Sequence, residues 1–162
     1  MKELILIRHA HASADKGIKD IDRPLTPEGQ MHARNTGRWL KDRDKTIELF
    51  FSSTAARAQM TGEEIMEVLN RDVGELTTVT GLYDASVRTF LDFVNQLNEK
   101  INRVLIVGHN PTVTYLSEYL INNSIGNMPP GSGVIIGFEN LKWGEISEGS
   151  GQLLVAHSLS DD

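Results

Sequence analysis

Two runs of β-prone aliphatic residues, Leu4-Ile5-Leu6-Ile7 and Val104-Leu105-Ile106-Val107, constrain this chain more than anything else in it. A strand with one face in water alternates apolar and polar residues; these two do not, so each must be covered on both faces. Glu48-Leu49-Phe50-Phe51-Ser52 is a third strand candidate, and Leu76-Thr77-Thr78-Val79 a weaker fourth. Segments with helical spacing lie between them. One opens at Thr26-Pro27, an N-cap residue followed by proline at the first helical position. A second runs from about Thr54 to Leu69. A third, from about Ser86 to Glu99, places Phe90, Phe93, Val94 and Leu97 on one face. A fourth opens at Asn110-Pro111 and carries Val113, Leu116, Tyr119 and Leu120. Strands alternating with helices predict an α/β fold: a mainly parallel central sheet flanked by helices in three layers. After Asn122 the sequence turns rich in Asn, Gly and Pro. Two further strand-like segments follow, Gly133 to Phe138 and Gln152 to Ala156, and read as a terminal antiparallel hairpin. No repeat or low-complexity linker divides the chain, so the expectation is a single domain over residues 1–162.

Composition narrows the function. The 162 residues contain no cysteine, which excludes disulfides, thiolate metal sites and a cysteine nucleophile. A net charge of −6 speaks against a general nucleic-acid binder. From Val104 onward there is one basic residue, Lys142, against six carboxylates, and every arginine precedes that point. Any anion site must therefore draw its arginines from the first two thirds of the chain. No apolar stretch approaches the roughly 20 residues of a membrane span, and the apolar run before Arg8 is too short for a secretory signal. A cytoplasmic protein without membrane or nucleic-acid partners is the expectation.

In parallel sheets, ligands bind beyond the carboxyl ends of the strands. The first strand runs into Arg8-His9-Ala10-His11, the third candidate into Ser52-Ser53-Thr54 with Arg57 close behind, and the 104–107 strand into Gly108-His109-Asn110-Pro111. Two of these ends precede helix starts, where free N–H groups favour an anion. Together they suggest a site for a dianionic group such as phosphate. Singly, each has a plainer reading: Arg8 and Arg57 as surface cations, His9 as a hydrogen-bonded loop residue, and the Gly108 segment as a tight turn with Asn110 as N-cap. A metal shared by His9 and His11 is not expected. His32 and His157 read as structural.

The order of these motifs resembles the histidine phosphatase superfamily. Arg8-His9-Ala10 after the first strand is similar to its Arg-His motif, and Ser52 to Thr61 to its S-x-x-x-R-A-x-x-T segment. Gly108-His109-Asn110-Pro111 is similar to its late histidine motif. Asp22-Arg23-Pro24-Leu25-Thr26-Pro27-Glu28-Gly29 resembles the R-P-L-T-x-x-G segment of the short SixA-type phosphohistidine phosphatases.

The resemblance implies a phosphoglycerate mutase-like fold and a phosphatase whose nucleophile is His9. Arg8 and Arg57 would hold the phosphoryl oxygens, His109 would complete the pocket, and Arg23 would add a contact. It implies no metal and no cofactor, and a phosphohistidine-bearing signalling protein as partner. Larger members supply a carboxylate to protonate the leaving group. Asp84 is the nearest candidate here for that general acid, set against a plainer reading as a helix-start residue. Asp20 and Asp22, in the loop carrying Arg23, could instead orient arginines. The alternatives are a phosphatase for a small phosphate ester, and a phosphate-binding module without turnover.

Overall fold

Alternate residues of the first strand serve opposite layers. In the computed structural model, which describes residues 1–43 and 45–158, β1 spans Lys2–Arg8 and β4 spans Arg103–Gly108. They pair in parallel, with Leu4 beside Val104 and Leu6 beside Ile106. These four side chains pack under α3 (Val87–Asn95) and α4 (Thr112–Ile121) with Phe90, Val94, Val113, Leu116 and Leu120. Ile5, Ile7, Leu105 and Val107 point the other way, onto α2 (Ala56–Val68), where Ala58, Ile65 and Met66 receive them, and onto Leu40 of α1 (Pro27–Lys41). The unbroken aliphatic runs are thus consumed by two cores at once.

Among the described residues the sheet has six strands in the order β3-β2-β4-β1-β5-β6. β2 (Leu49–Ser53) and β3 (Leu76–Val79) extend the parallel half. β5 (Gly133–Phe138) and β6 (Gln152–His157) are antiparallel to each other, and β5 is antiparallel to β1. The three-layer α/β reading and its terminal antiparallel pair agree with this architecture. The connection between β5 and β6 is more than a loop. Its turn at Trp143–Glu145 buries Trp143 completely under the α3–α4 layer, with the indole Nε1 donating to the Ile101 carbonyl at 2.8 Å. Among the described residues no helix is long and apolar enough to cross a membrane. Asp161 and Asp162, counted in the charge asymmetry, lie outside the described residues.

Two helices differ from expectation. α3 starts as expected, at Val87 with Ser86 as its cap, the hydroxyl accepting from Thr89 N at 3.1 Å, but it ends at Asn95, short of Glu99. α4 begins at Thr112, one residue later than a proline-first start allows, and the Asn110–Pro111 peptide is cis. Asn110 still caps the helix from further out: its Oδ1 accepts from the backbone N of Thr114 at 3.1 Å and from its hydroxyl at 2.9 Å.

Candidate active site

The carboxyl end of β1 is pinned from several sides. His9 N donates to the Gly108 carbonyl at 3.0 Å, extending the ladder toward β4. Gly131 N approaches the carbonyls of Arg8 and His9 at 3.0 and 3.1 Å, from a residue whose φ of +84° suits glycine. The Gly131 carbonyl is in turn held by the buried hydroxyl of Thr36 on α1 at 2.6 Å. Ala10 N donates to Thr61 Oγ1 of α2 at 3.0 Å. The backbone that carries His9 is therefore fixed before any ligand arrives.

The His9 ring is fixed as well. Its Nδ1 lies 2.8 Å from the Ala10 carbonyl oxygen, which can only accept, so the ring proton sits on Nδ1 and the lone pair on Nε2. Burial pushes the imidazole pKa down to about 3, and the neighbouring His109, Arg57 and Arg8 push the same way. At neutral pH His9 is an uncharged base with an open nitrogen. Beside it, Arg8 donates from Nη1 to the Met128 carbonyl at 2.8 Å, while its Nε is buried with no hydrogen-bond partner in the protein.

Arg57, at the start of α2, is not the surface cation its helical position allows. Its side chain is only 8% exposed. Nη1 donates to the Asp20 carbonyl at 2.7 Å and Nη2 to Asp20 Oδ2 at 3.1 Å; Nε is again buried and unpartnered. His109 follows β4. Its ring centroid lies 5.0 Å from that of His9, and its Nε2 meets the Ser53 hydroxyl at 2.6 Å. Burial first, then the charge of Arg57, lowers its pKa to about 4. The Ser and Thr that bracket the second motif thus have assignable work. Ser53 holds His109, and Thr61 receives Ala10 N while donating to the Arg57 carbonyl at 2.7 Å.

Arg23 stands at the rim, its side chain 27% exposed. Its Nη1 donates to the Ser13 carbonyl at 2.7 Å, and its Nε and Nη2 to Asp20 Oδ1 at 3.1 and 3.0 Å. Asp20 Oδ2 also accepts from the Tyr83 hydroxyl, and that bond is the largest cause holding the Asp20 carboxyl well below the usual range. The Tyr83 ring stands edge-on to His109, centroids 5.7 Å apart. Asp84 comes next. It is not a helix-start residue: it sits in a left-handed turn at φ +58°, before the α3 cap. With Leu82, Phe90, His109 and Pro111 it lines a cavity of about 130 Å³.

The structure thus brings Arg8, His9, Arg57 and His109 together, with Arg23 and Asp84 at the margin. His11 turns away, its Nδ1 2.8 Å from the Thr26 hydroxyl. His32 is 4.0 Å from Glu28 on α1, and His157 stacks on Trp39 with centroids 4.7 Å apart. Sequence reasoning gave no role to Tyr83 or to Ser53 individually. Ser53 was visible as the first letter of the second motif; Tyr83 had no signal. A roomier cavity of about 210 Å³ opens at the opposite end of the sheet, beside Lys45 and Arg71, but those cations are paired with Glu3 and Glu75.

Three buried or half-buried cations and two neutral histidines at converging strand ends define a phosphate-handling protein of the α/β class. The chain belongs to the histidine phosphatase superfamily, branch 1, whose sequence profile matches residues 4–87. Within it, the chain is 32% identical to phosphohistidine phosphatase SixA of Escherichia coli strain K12 over 131 residues, covering 79% of this chain and 78% of that protein. The solved structure of the protein histidine phosphatase SixA complexed with tungstate superposes with a TM-score of 0.83 at 25% identity, covering 96% of each chain. A mycobacterial glucosyl-3-phosphoglycerate phosphatase shares the fold at a TM-score of 0.73 and 16% identity, covering 98% of this chain and all of the other.

Proposed function

We propose that this phosphatase removes phosphoryl groups from phosphohistidine on a protein, through a phosphoryl intermediate on His9. One observation carries the reading: two buried guanidinium Nε donors, of Arg8 and Arg57, lack partners beside a neutral histidine whose free nitrogen is Nε2. Charged donors are not left open in a protein interior at no cost, and a phosphoryl group supplies the missing acceptors.

In the first step the His9 Nε2 lone pair forms the bond to phosphorus. The bond from phosphorus to the substrate imidazole breaks; that ring, protonated on its other nitrogen, keeps the electron pair and leaves as neutral imidazole. In the second, water attacks the phosphoryl-His9, releasing phosphate and restoring the neutral ring. Arg8 and Arg57 stabilise the charge on the transferring oxygens, Arg23 adds a rim contact, and His109 closes the pocket. The chemistry calls on no metal or cofactor. The SixA relative bears the name of a phosphohistidine phosphatase, which supports this substrate class.

The leaving group gives the test. Imidazolium has a pKa near 6.5 and phenol near 10, so their conjugate bases depart with far less help than an aliphatic alkoxide. Purified protein, without added metal and with EDTA, is given a phosphohistidine protein, an aryl phosphate and phosphoserine. kcat/KM is expected to fall in that order, and Asp84→Asn to change the phosphohistidine rate by less than about threefold, where a true general acid is worth ~10²–10⁴. Phosphoserine cleaved as fast as phosphohistidine would make the protein an ester phosphatase with a general acid; binding without turnover would leave a phosphate-binding module.

A further inference from the structure

Asp20 lies in the loop between β1 and α1 with its side chain half exposed, yet its carboxylate joins three separate segments of the site. Oδ1 takes Nε and Nη2 of Arg23; Oδ2 takes Nη2 of Arg57 and the hydroxyl of Tyr83; the backbone carbonyl takes Nη1 of Arg57. Each terminal nitrogen of Arg57 therefore gives one N–H to the same residue, while Nε is buried without a partner in the protein. A guanidinium is planar, so tying its two ends fixes the directions of the remaining N–H groups. Tyr83, held by the same carboxylate, stands edge-on to His109, whose Nε2 meets Ser53 and whose ring lies 5.0 Å from that of His9.

We infer that Asp20 is a positioning residue for phosphoryl binding: it aims Arg57 directly and His109 through Tyr83. This rests on the phosphate pocket proposed above and extends it to a residue that itself touches no phosphoryl oxygen. The opposing role is that of a resident anion, which a phosphoryl group must displace from Arg23 and Arg57.

The two roles differ in sign. On charge alone, removing a carboxylate beside an anion site tightens anion binding. Losing a positioning contact weakens it. Inorganic tungstate, a tetrahedral dianion, reads this without turnover, by calorimetric titration of the purified protein. Asp20→Ala is expected to weaken tungstate binding by about tenfold, the scale of one hydrogen bond to a charged group. Asp20→Asn offers one acceptor oxygen where the carboxylate has two, so it serves either Arg23 or the Arg57–Tyr83 pair, and an intermediate loss is expected.

A thermodynamic cycle separates positioning from general loosening of the loop. In an Arg57→Ala background, Asp20→Ala has little left to aim, and its effect is expected to shrink below about threefold while its effect on the melting temperature persists. Should Asp20→Ala fail to unfold cooperatively, Asp20→Asn decides. Tungstate bound tighter or equally well by the Asp20 variants, or an undiminished effect in the Arg57→Ala background, overturns the inference and leaves the phosphate pocket standing. A wild-type protein that binds no tungstate removes both.

Discussion

A guanidinium as buried as Arg57 ordinarily has its N–H donors satisfied, because an open donor costs about 1–3 kcal/mol and more when charged. In both Arg57 and Arg8 the Nε is buried without a partner in the protein, beside a histidine whose proton is pinned to Nδ1. In the proposed reaction their value is greatest when charge builds on the transferring phosphoryl group. Arg57→Ala is expected to lower kcat by roughly 10²–10³, the scale of one preorganised donor. Arg57→Lys recovers part of this, since an ammonium cannot span Asp20 and the phosphoryl group at once. Steady-state kinetics on an aryl phosphate decides: a raised KM with unchanged kcat would reduce Arg57 to a ground-state binding contact. His9→Ala is expected to abolish turnover without unfolding the chain. Rapid quenching of the wild type should trap acid-labile, base-stable phosphate, and a tenth of wild-type activity in His9→Ala would exclude His9 as nucleophile.

Among the elements, α1 does more than cover the sheet. Its cap, Thr26, accepts from Gly29 N at 3.0 Å and meets the His11 ring, so the helix start and the β1 exit are one structure. Gly29 is there because a Cβ would stand 2.1 Å from the His11 carbonyl oxygen. Thr26→Ala is expected to cost about 1 kcal/mol in urea denaturation, the usual worth of a cap, and Gly29→Ala more, because backbone must move. A Gly29→Ala change as mild as the cap loss would mean the two segments are not in close contact. The same elements show what can be read from residues alone. The strands, all four helices and the cluster of Arg8, His9, Arg57 and His109 follow from aliphatic runs, helical spacing and strand-end position. The Arg57 side chain's burial does not, since helical periodicity says nothing about a loop that folds over it. Nor does the Asp20–Tyr83 bond, which joins residues 63 apart with no pattern linking them. The left-handed turn at Asp84 and the buried turn at Trp143 are equally silent in sequence: an aspartate is ordinary in a loop, and a lone tryptophan names no partner.

For the whole molecule, the buried histidines couple stability to pH. Burial lowers the pKa of His9 to about 3 and of His109 to about 4, and depresses that of His157. The unfolded chain protonates these rings near 6.5 and so binds more protons than the folded one below that pH. Their stabilisation is complete above about 6.5 and is lost progressively toward pH 4 and below. Asp20 and Glu3, whose carboxyl pKa values are lowered, add losses in the same direction at lower pH still. Urea denaturation at pH 7 and 4.5 is expected to show this fall, with a shallower slope in His9→Gln. Stability unchanged between the two pH values would mean the rings titrate alike folded and unfolded.

β1 leaves the ribosome before either of its neighbours. It lies between β4 and β5, with Leu4 paired to Val104 on one side and to Ile136 on the other. The peptide group of His9 is closed by Gly108 and Gly131. A nascent chain that has made His9 therefore carries an aliphatic strand with both edges open until β4 and β5 have followed. Long-range closures of this kind slow folding and favour a single late step. In pulse-labelled refolding, amide protection at Leu6, Ile106 and Ile135 should rise in the same kinetic phase as tungstate binding. Early protection of β1 alone would show that the strand finds its place without them. A partial chain thus holds His9 without the frame that fixes its backbone.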